Sequence, residues 1–276
     1  MNTYNNEYLK KEIMNQSRHQ LIYGYNGNNR KSFLKNLEKE YPVVFDKNQP
    51  MAIYVNDFWL PKNSIKTNNS SQIRLSIASK EYLYFSIIKD IIRRVIDYSN
   101  ITESDENIEE LIDAINKFII NNKSNEITSL DDFISLLTES KKYYKEYYQG
   151  ILEEKDLLSP YEVLKIPFIE INFFIERLKQ IINNNSYFGI IFDKQNDISL
   201  QTTKAINSLI GSRINKDISV KIALEPDKWD SYLCSNGQFI EYIHDYGDIE
   251  LDDSKSNYVK QLKNTKKQII KRWKND

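Results

Sequence analysis

The chain has 276 residues, 40% hydrophobic and 28% charged, so it can bury one large core or a core with a small appendage. With 38 basic and 39 acidic residues, its net charge of −1 argues against a histone-like basic protein and against an acidic solvating tail. The single cysteine, Cys234, excludes an intramolecular disulfide, and two histidines, His19 and His244, leave little for a zinc site.

The sequence contains no run of about 18 apolar residues, and its amino terminus lacks the apolar stretch of a signal peptide. These two features predict a cytoplasmic protein without a membrane partner.

Short, continuous apolar runs predict strands that are buried on both faces of a parallel sheet. They are Gln20–Tyr23, Met51–Val55, Tyr187–Phe192 and Val220–Leu224. Apolar residues at helical spacing predict helices between and beside these strands. The helices are Lys31–Lys39, Lys80–Tyr98, Ile108–Asn121, Leu130–Gln149, Phe168–Asn183 and Gln201–Arg213. The alternation predicts a three-layer α/β fold with right-handed crossovers, and a polar loop at Lys62–Gln72.

Charge and pattern divide the chain into three parts. Residues 1–18 form an amino-terminal helix or extension, and residues 19–253 form the core, with a helical insert at about 100–165. Residues 254–276 form a basic carboxyl-terminal helix.

The charges are unevenly distributed between the insert and the carboxyl terminus. Residues 101–140 carry ten acids against two lysines, whereas residues 254–276 carry eight bases against one acid. The lysines of the second segment are interspersed with apolar residues that include Tyr258, Leu262, Ile269 and Trp273. A basic amphipathic helix binds nucleic acid, a membrane surface or a protein partner, or it packs on its own domain. Four lysines are the candidate DNA contacts: Lys263, Lys266, Lys267 and Lys271.

The first predicted strand leads directly into the sequence GYNGNNRKS of residues 24–32, and a helix follows. A buried strand, a glycine-containing turn and a helix amino terminus are the setting of a phosphate-binding loop. In such a loop Lys31 would contact the β- and γ-phosphates, and the Ser32 hydroxyl would hold Mg²⁺. The candidate nucleotide-binding residues are Gly24, Gly27, Asn29, Arg30, Lys31 and Ser32.

This loop departs from the regular pattern G-x-x-x-x-G-K-[ST]. Arg30 stands where the last glycine belongs and Tyr25 where the first belongs, and Gly24 fits only if the loop is one residue longer. Glycines in these positions allow positive φ and a close approach of the backbone to phosphate. Arg30 either reaches the phosphates as a charged donor or blocks their site, and a chance Lys-Ser pair in an ordinary strand–turn–helix corner is the alternative.

The third predicted strand ends in Asp193, as in the second ATPase motif, whose carboxylate holds Mg²⁺. The next position, which carries the water-polarising glutamate in active enzymes, is Lys194, a cation at pH 7. Arg213 and Glu225 stand where ring ATPases carry an arginine that faces the neighbouring subunit and a sensor residue. A helix carboxyl-terminal arginine and an ordinary strand-end carboxylate are the structural alternatives.

The chain resembles bacterial AAA+ ATPases of the origin-recognition-complex-like type. The resemblance rests on the runs FGIIFD at 188–193, AINSLI at 205–210 and VKIA at 220–223, and on a later region around residues 237–252. It implies a P-loop core that binds ATP with Mg²⁺, commonly followed by a lid and a DNA-binding winged helix. Only Lys31, Ser32 and Asp193 keep family-like chemistry in this sequence.

Other residues with reactive side chains have structural interpretations. The tyrosine pairs at 143–144 and 147–148 form one broad aromatic helix face, which can stack bases but more commonly packs on a core or a partner. His244 and Asp245 indicate a local structural pair, and Cys234 has no visible activator.

These features predict a nucleotide-responsive assembly or scaffold subunit with weak or no ATP hydrolysis, and a protein partner or homo-oligomer. Two alternatives remain open. One is an active ATPase that acts on DNA, with Asp197 or Glu225 in place of the missing glutamate. The other is a pseudo-ATPase that never binds nucleotide and serves as a protein-interaction module, in phage defence or plasmid maintenance. Filling of the nucleotide pocket by Arg30 or Tyr25 would favour the pseudo-ATPase.

Overall fold

A computed structural model describes most of the chain. The described residues are 7–24, 27–44, 48–60, 62, 68–102, 105–118, 126–194, 198–212, 216–225, 228–229 and 231–251. The basic segment 254–276 lies outside these residues.

Five parallel strands form one sheet in the order β2-β3-β4-β1-β5. The strands are β1 His19–Tyr23, β2 Met51–Val55, β3 Phe188–Lys194, β4 Ile218–Leu224 and β5 Tyr246–Glu250. Every residue of β2, β3 and β4 is buried, as expected for strands covered on both faces. The prediction of a parallel α/β sheet is confirmed.

Helices cover both faces of the sheet. They are α1 Glu7–Met14, α2 Gly27–Glu40, α3 Asn69–Thr102, α4 Asp105–Phe118, α5 Leu130–Leu152, α6 Pro160–Val163, α7 Ile171–Ile181 and α8 Leu200–Gly211. On one face, α1 and α2 pack Met14 and Phe33 against alternate strand residues such as Ile191. On the other face, α3 and α8 pack against the neighbouring set, which includes Ile190, and α5 packs against α3. The sheet is therefore the middle of three layers.

Helix α3 is longer than predicted, and the expectation of a loop through Gln72 is wrong in its last part. The helix begins at Asn69 because the Asn68 side chain accepts the backbone N–H of Ser71 at 2.8 Å, a capping interaction. The first turns of α3 are largely exposed and carry mostly polar residues. The sequence there has no apolar pattern at helical spacing, so the start of the helix was not predicted. Helix α2 likewise begins at Gly27, four residues before the predicted start.

Strand β5 was missed because its sequence carries little strand signal. Only Tyr246 and Ile249 are buried, and Gly247 and Asp248 are residue types that strands disfavour. The sheet register pairs Ile22 of β1 with Ile249.

Lys221 of β4 is fully buried beneath the turn that joins α1 to β1. Its ammonium donates to the carbonyls of Gln16 and Arg18, both at 2.8 Å, and to Gln20 Oε1 at 2.6 Å. Three oxygens match the three N–H donors of an ammonium, so the buried amine satisfies all its hydrogen bonds within the chain. Lys221 thus fixes the entry of the chain into β1.

His19, beside Lys221, gives the fold a pH dependence. Its Nδ1 accepts the backbone N–H of Val220 at 2.8 Å, and burial, reinforced by the Lys221 charge, lowers the pKa of His19 to about 4. The unfolded chain has the ordinary pKa of about 6.5 and binds the proton first as the pH falls. We expect the free energy of unfolding to drop by about 2 kcal/mol between pH 7 and pH 5.

Urea unfolding at both pH values measures this drop. The matched control is His19→Asn, which keeps an acceptor for the Val220 N–H but does not titrate. An equal drop in the wild-type chain and in His19→Asn would contradict the assignment to His19.

Candidate functional site

Arg30 and Asp193 form a buried ion pair at the carboxyl edge of the sheet. Arg30 Nε donates to Asp193 Oδ1 at 2.8 Å, and each side chain is 1% exposed. The guanidinium also donates to the Gly24 carbonyl at 2.5 Å and to the Lys194 carbonyl at 3.5 Å. The structure thus brings together three predicted site residues, Gly24, Arg30 and Asp193, with Arg30 in contact with the other two.

The pair lies at the topological switch point of the sheet. The connection from β1 to β2 contains α2 and crosses one face of the sheet, past β4 and β3. The connection from β4 to β5 runs in the opposite direction over the other face, where Trp229 packs. Such reversals open a crevice beyond the carboxyl ends of the strands, where α/β proteins bind ligands. Here Arg30 spans from Gly24, after β1, to Asp193, at the end of β3.

The early start of α2 moves the predicted phosphate contacts into the helix. Lys31 and Ser32 lie in its second turn, beyond the first four N–H groups that a helix leaves free for an anion. Lys31 is half-buried, whereas Ser32 and Asn29 are exposed.

The two glycines of the loop differ in what they contribute. Among the glycines in the described part of the chain, only Gly237 has positive φ. A Cβ on Gly24 would lie 3.3 Å from Leu251 and 3.6 Å from the Arg30 side chain, whereas one on Gly27 would meet open space. A side chain at position 24 would therefore need a small shift of Leu251, whereas one at position 27 would meet no obstacle.

Tyr54 of β2 extends the site and was not singled out from the sequence. Burial, the nearby Asp193 carboxylate and a hydrogen bond to it raise the pKa of Tyr54. The Tyr54 backbone N–H donates to Glu38 Oε1 of α2 at 2.9 Å, and Glu38 in turn pairs with Arg94 of α3. Its position in a continuous apolar strand gave no polar signal to find it by.

Lys194 points to the other side of β3 from Asp193, as alternation along a strand requires. It is buried, its ammonium donates to the Lys228 carbonyl, and it lies 5.5 Å from the centre of the Trp229 ring. The residue at the expected glutamate position therefore acts as a structural cation.

Of the other predicted residues, Glu225 follows β4 at the same edge of the sheet, and several fall outside the described residues. Glu225 is half-buried directly after β4, and its carbonyl accepts the Lys228 N–H at 3.2 Å. Arg213, Asp197 and the four carboxyl-terminal lysines fall outside the described residues. Cys234 is buried, and burial raises the pKa of its thiol, which does not favour a nucleophile.

A second polar cluster, beyond the carboxyl end of β2, was also missed. Lys141 of α5 donates to Asp57 Oδ2 at 3.0 Å and also to the Asp57 carbonyl, and the Tyr82 hydroxyl lies 3.1 Å from both carboxylate oxygens. Burial lowers the pKa of Lys141 to about 8. These residues are distant in sequence and belong to no motif.

Comparisons with protein-family models, with curated proteins and with solved structures each find no match for this chain. In the described part of the chain, no three His, Cys, Asp or Glu side chains form a group that can hold a metal, and no helix has the length and hydropathy to cross a membrane. The fold and the site define a class: an α/β protein with a parallel five-stranded sheet and a buried arginine–aspartate ion pair at the topological switch point of that sheet.

The Arg30–Asp193 pair predicts strong coupling between the two positions. Removing one partner leaves the other charge buried and unpaired, so Arg30→Met and Asp193→Leu should each lower the free energy of unfolding by about 3–5 kcal/mol. The double variant should lose much less free energy of unfolding than the two single variants lose together, because its interior carries neither charge. Urea unfolding of the four chains measures the coupling.

The matched control is the exposed pair of Lys142 and Glu146, whose closest charged atoms are 3.9 Å apart. Lys142→Met should cost less than about 0.5 kcal/mol. Additive losses at Arg30 and Asp193 would contradict the ion pair.

Proposed function

We propose that the chain is a degenerate P-loop-type module that acts through protein contacts without bound nucleotide. The observation that supports this proposal is the Arg30–Asp193 pair, in which a side chain of the candidate loop contacts the carboxylate that was expected to hold Mg²⁺. A loop that binds this carboxylate itself favours the pseudo-ATPase among the functions suggested by the sequence.

The surrounding residues do not fit Mg²⁺ with ATP in this arrangement. The Asp193 carboxylate, the expected metal ligand, already accepts from a guanidinium, and a divalent cation beside that group would be repelled by it. Ser32, the other expected ligand, is exposed on the second turn of α2. Lys194 offers no general base. These features support a protein without ATPase activity.

A nucleotide-responsive scaffold is the second candidate. It is favoured by the location of the site, because the switch point of a parallel sheet is where such folds bind ligands. In this alternative Arg30 would leave Asp193 for the phosphates, and Lys31 would join it there. ATP binding would then shift a protein-binding surface without turnover.

Calorimetric titration of the full chain with ATP and Mg²⁺ separates the two candidates. We expect no saturable heat up to millimolar ATP, because the buried ion pair would have to be broken and desolvated groups re-exposed. Saturable binding that Lys31→Ala abolishes, with an unchanged unfolding midpoint, would refute our proposal and establish the nucleotide-responsive scaffold. Binding that Lys31→Ala leaves unchanged would also refute it, and would place the nucleotide elsewhere.

The DNA-acting ATPase remains a separate prediction. It depends on Lys263, Lys266, Lys267 and Lys271, and on a carboxylate that replaces Lys194. A salt-dependent DNA affinity that is lost when the four lysines are neutralised would be its signature.

A further inference from the structure

The segment between α5 and α7 presents an exposed apolar surface, which we call the ledge and define as residues 158–168. Four of its large apolar side chains are exposed: Leu158 at 65%, Tyr161 at 59%, Val163 at 45% and Phe168 at 40%. The Tyr161 and Phe168 rings lie 6.0 Å apart and form one patch. Contiguous apolar surface of this kind marks an interaction site more often than scattered apolar residues do.

The ledge is held in place by side chains of α5. Ser140 Oγ donates to the Ile166 carbonyl at 2.9 Å, the Tyr143 hydroxyl to the Leu158 carbonyl at 3.0 Å, and the Tyr144 hydroxyl to the Pro167 carbonyl. These bonds assign the first tyrosine pair a structural role. A surface ordered before binding loses little entropy on binding, which favours docking.

A capping box orders the middle of the ledge. The Ser159 hydroxyl accepts the N–H of Tyr161, and the Glu162 carboxylate accepts the N–H of Ser159 at 2.8 Å. Between the exposed side chains, Leu164 and Ile166 are buried, so the ledge is anchored to the core along its length.

The surface around the ledge is acidic. Residues 153–170 carry five acids and two lysines, and all seven side chains are exposed. They are Glu153, Glu154, Lys155, Asp156, Glu162, Lys165 and Glu170. One of the lysines, Lys155, is paired with Glu153 at 2.5 Å. An occupant of complementary character is therefore apolar and basic.

The carboxyl-terminal segment of this chain has that character. Residues 254–276 carry eight bases and one acid, and four apolar residues recur at the spacing of a single helix face. They are Tyr258, Leu262, Ile269 and Trp273. A helix from Tyr258 to Trp273 would be about 24 Å long, and the six residues between Leu251 and that helix can extend up to about 20 Å.

We infer that the basic segment 254–276 docks on the ledge of the same chain. Tethering gives the segment a high effective concentration at the ledge, which favours docking within the chain over docking between chains. The apolar side chains of the segment cover those of the ledge, and its lysines face the surrounding carboxylates. This inference is independent of the Arg30–Asp193 pair and of whether the chain binds nucleotide.

Photo-crosslinking of the full chain tests the inference. With p-benzoylphenylalanine in place of Trp273, we expect the main crosslinks to form within residues 158–168. The same photoreactive residue in place of Lys267, which helical spacing would put on the opposite side from the apolar residues, should crosslink the ledge much less. A 1:1 mixture of isotopically heavy and light chains, identified by mass spectrometry, separates crosslinks within a chain from those between chains.

Variants of the ledge complete the experiment. Because Tyr161 and Phe168 are exposed, the double variant Tyr161→Ser and Phe168→Ser should keep its unfolding midpoint and lose the ledge crosslink about tenfold. Leu158→Ser serves as a second variant if the double variant unfolds. Crosslinks mainly outside 158–168, crosslinks only between heavy and light chains, or a yield unchanged by the variants would each overturn the inference.

Discussion

The buried pair of Arg30 and Asp193 joins the end of β1 and the helix α2 to β3, which lies far away in sequence. Removing a guanidinium and a carboxylate from water is costly, and the cost is offset only when their hydrogen bonds are satisfied inside. The fold meets that requirement by placing the Gly24 carbonyl, at the end of β1, within reach of the same guanidinium. Gly24 has no side chain that would crowd Arg30 and Leu251.

The same principle extends along the whole carboxyl edge. Parallel strands leave carbonyl groups at this edge, and the chain covers several of them with its own cations. Arg30 contacts the carbonyl that follows β1, Lys141 the Asp57 carbonyl beyond β2, and Lys194 the Lys228 carbonyl beyond β4. In a ligand-binding α/β protein this edge is where a ligand finds its polar partners. Here side chains of the chain itself satisfy these groups, which is consistent with a stable scaffold.

The sequence predicted four of the five strands, β1 to β4, because continuous apolar runs have few other interpretations. It predicted that Gly24, Arg30 and Asp193 would share one site, since strand ends meet at the carboxyl edge of a parallel sheet. It left open which way Arg30 would point, because spacing does not encode rotamers or competition between partners. Strand β5 was missed because it lacks a continuous apolar run, whereas β2, at the opposite edge, has one. The Lys141–Asp57 pair was missed because two residues distant in sequence leave no local pattern.

The ledge suggests a physical reason for the uneven distribution of charge along the chain. An acidic helical region alone indicates only solvation, but the ledge adds ordered apolar side chains in an acidic surrounding. Salt weakens attraction between exposed charges over about 10 Å, whereas contact between apolar side chains is little affected. Docking that uses both would therefore weaken with added salt without being lost. A purely electrostatic association would disappear at high salt. The salt dependence of the Trp273 crosslink therefore reports how much of the attraction comes from the apolar side chains of the ledge.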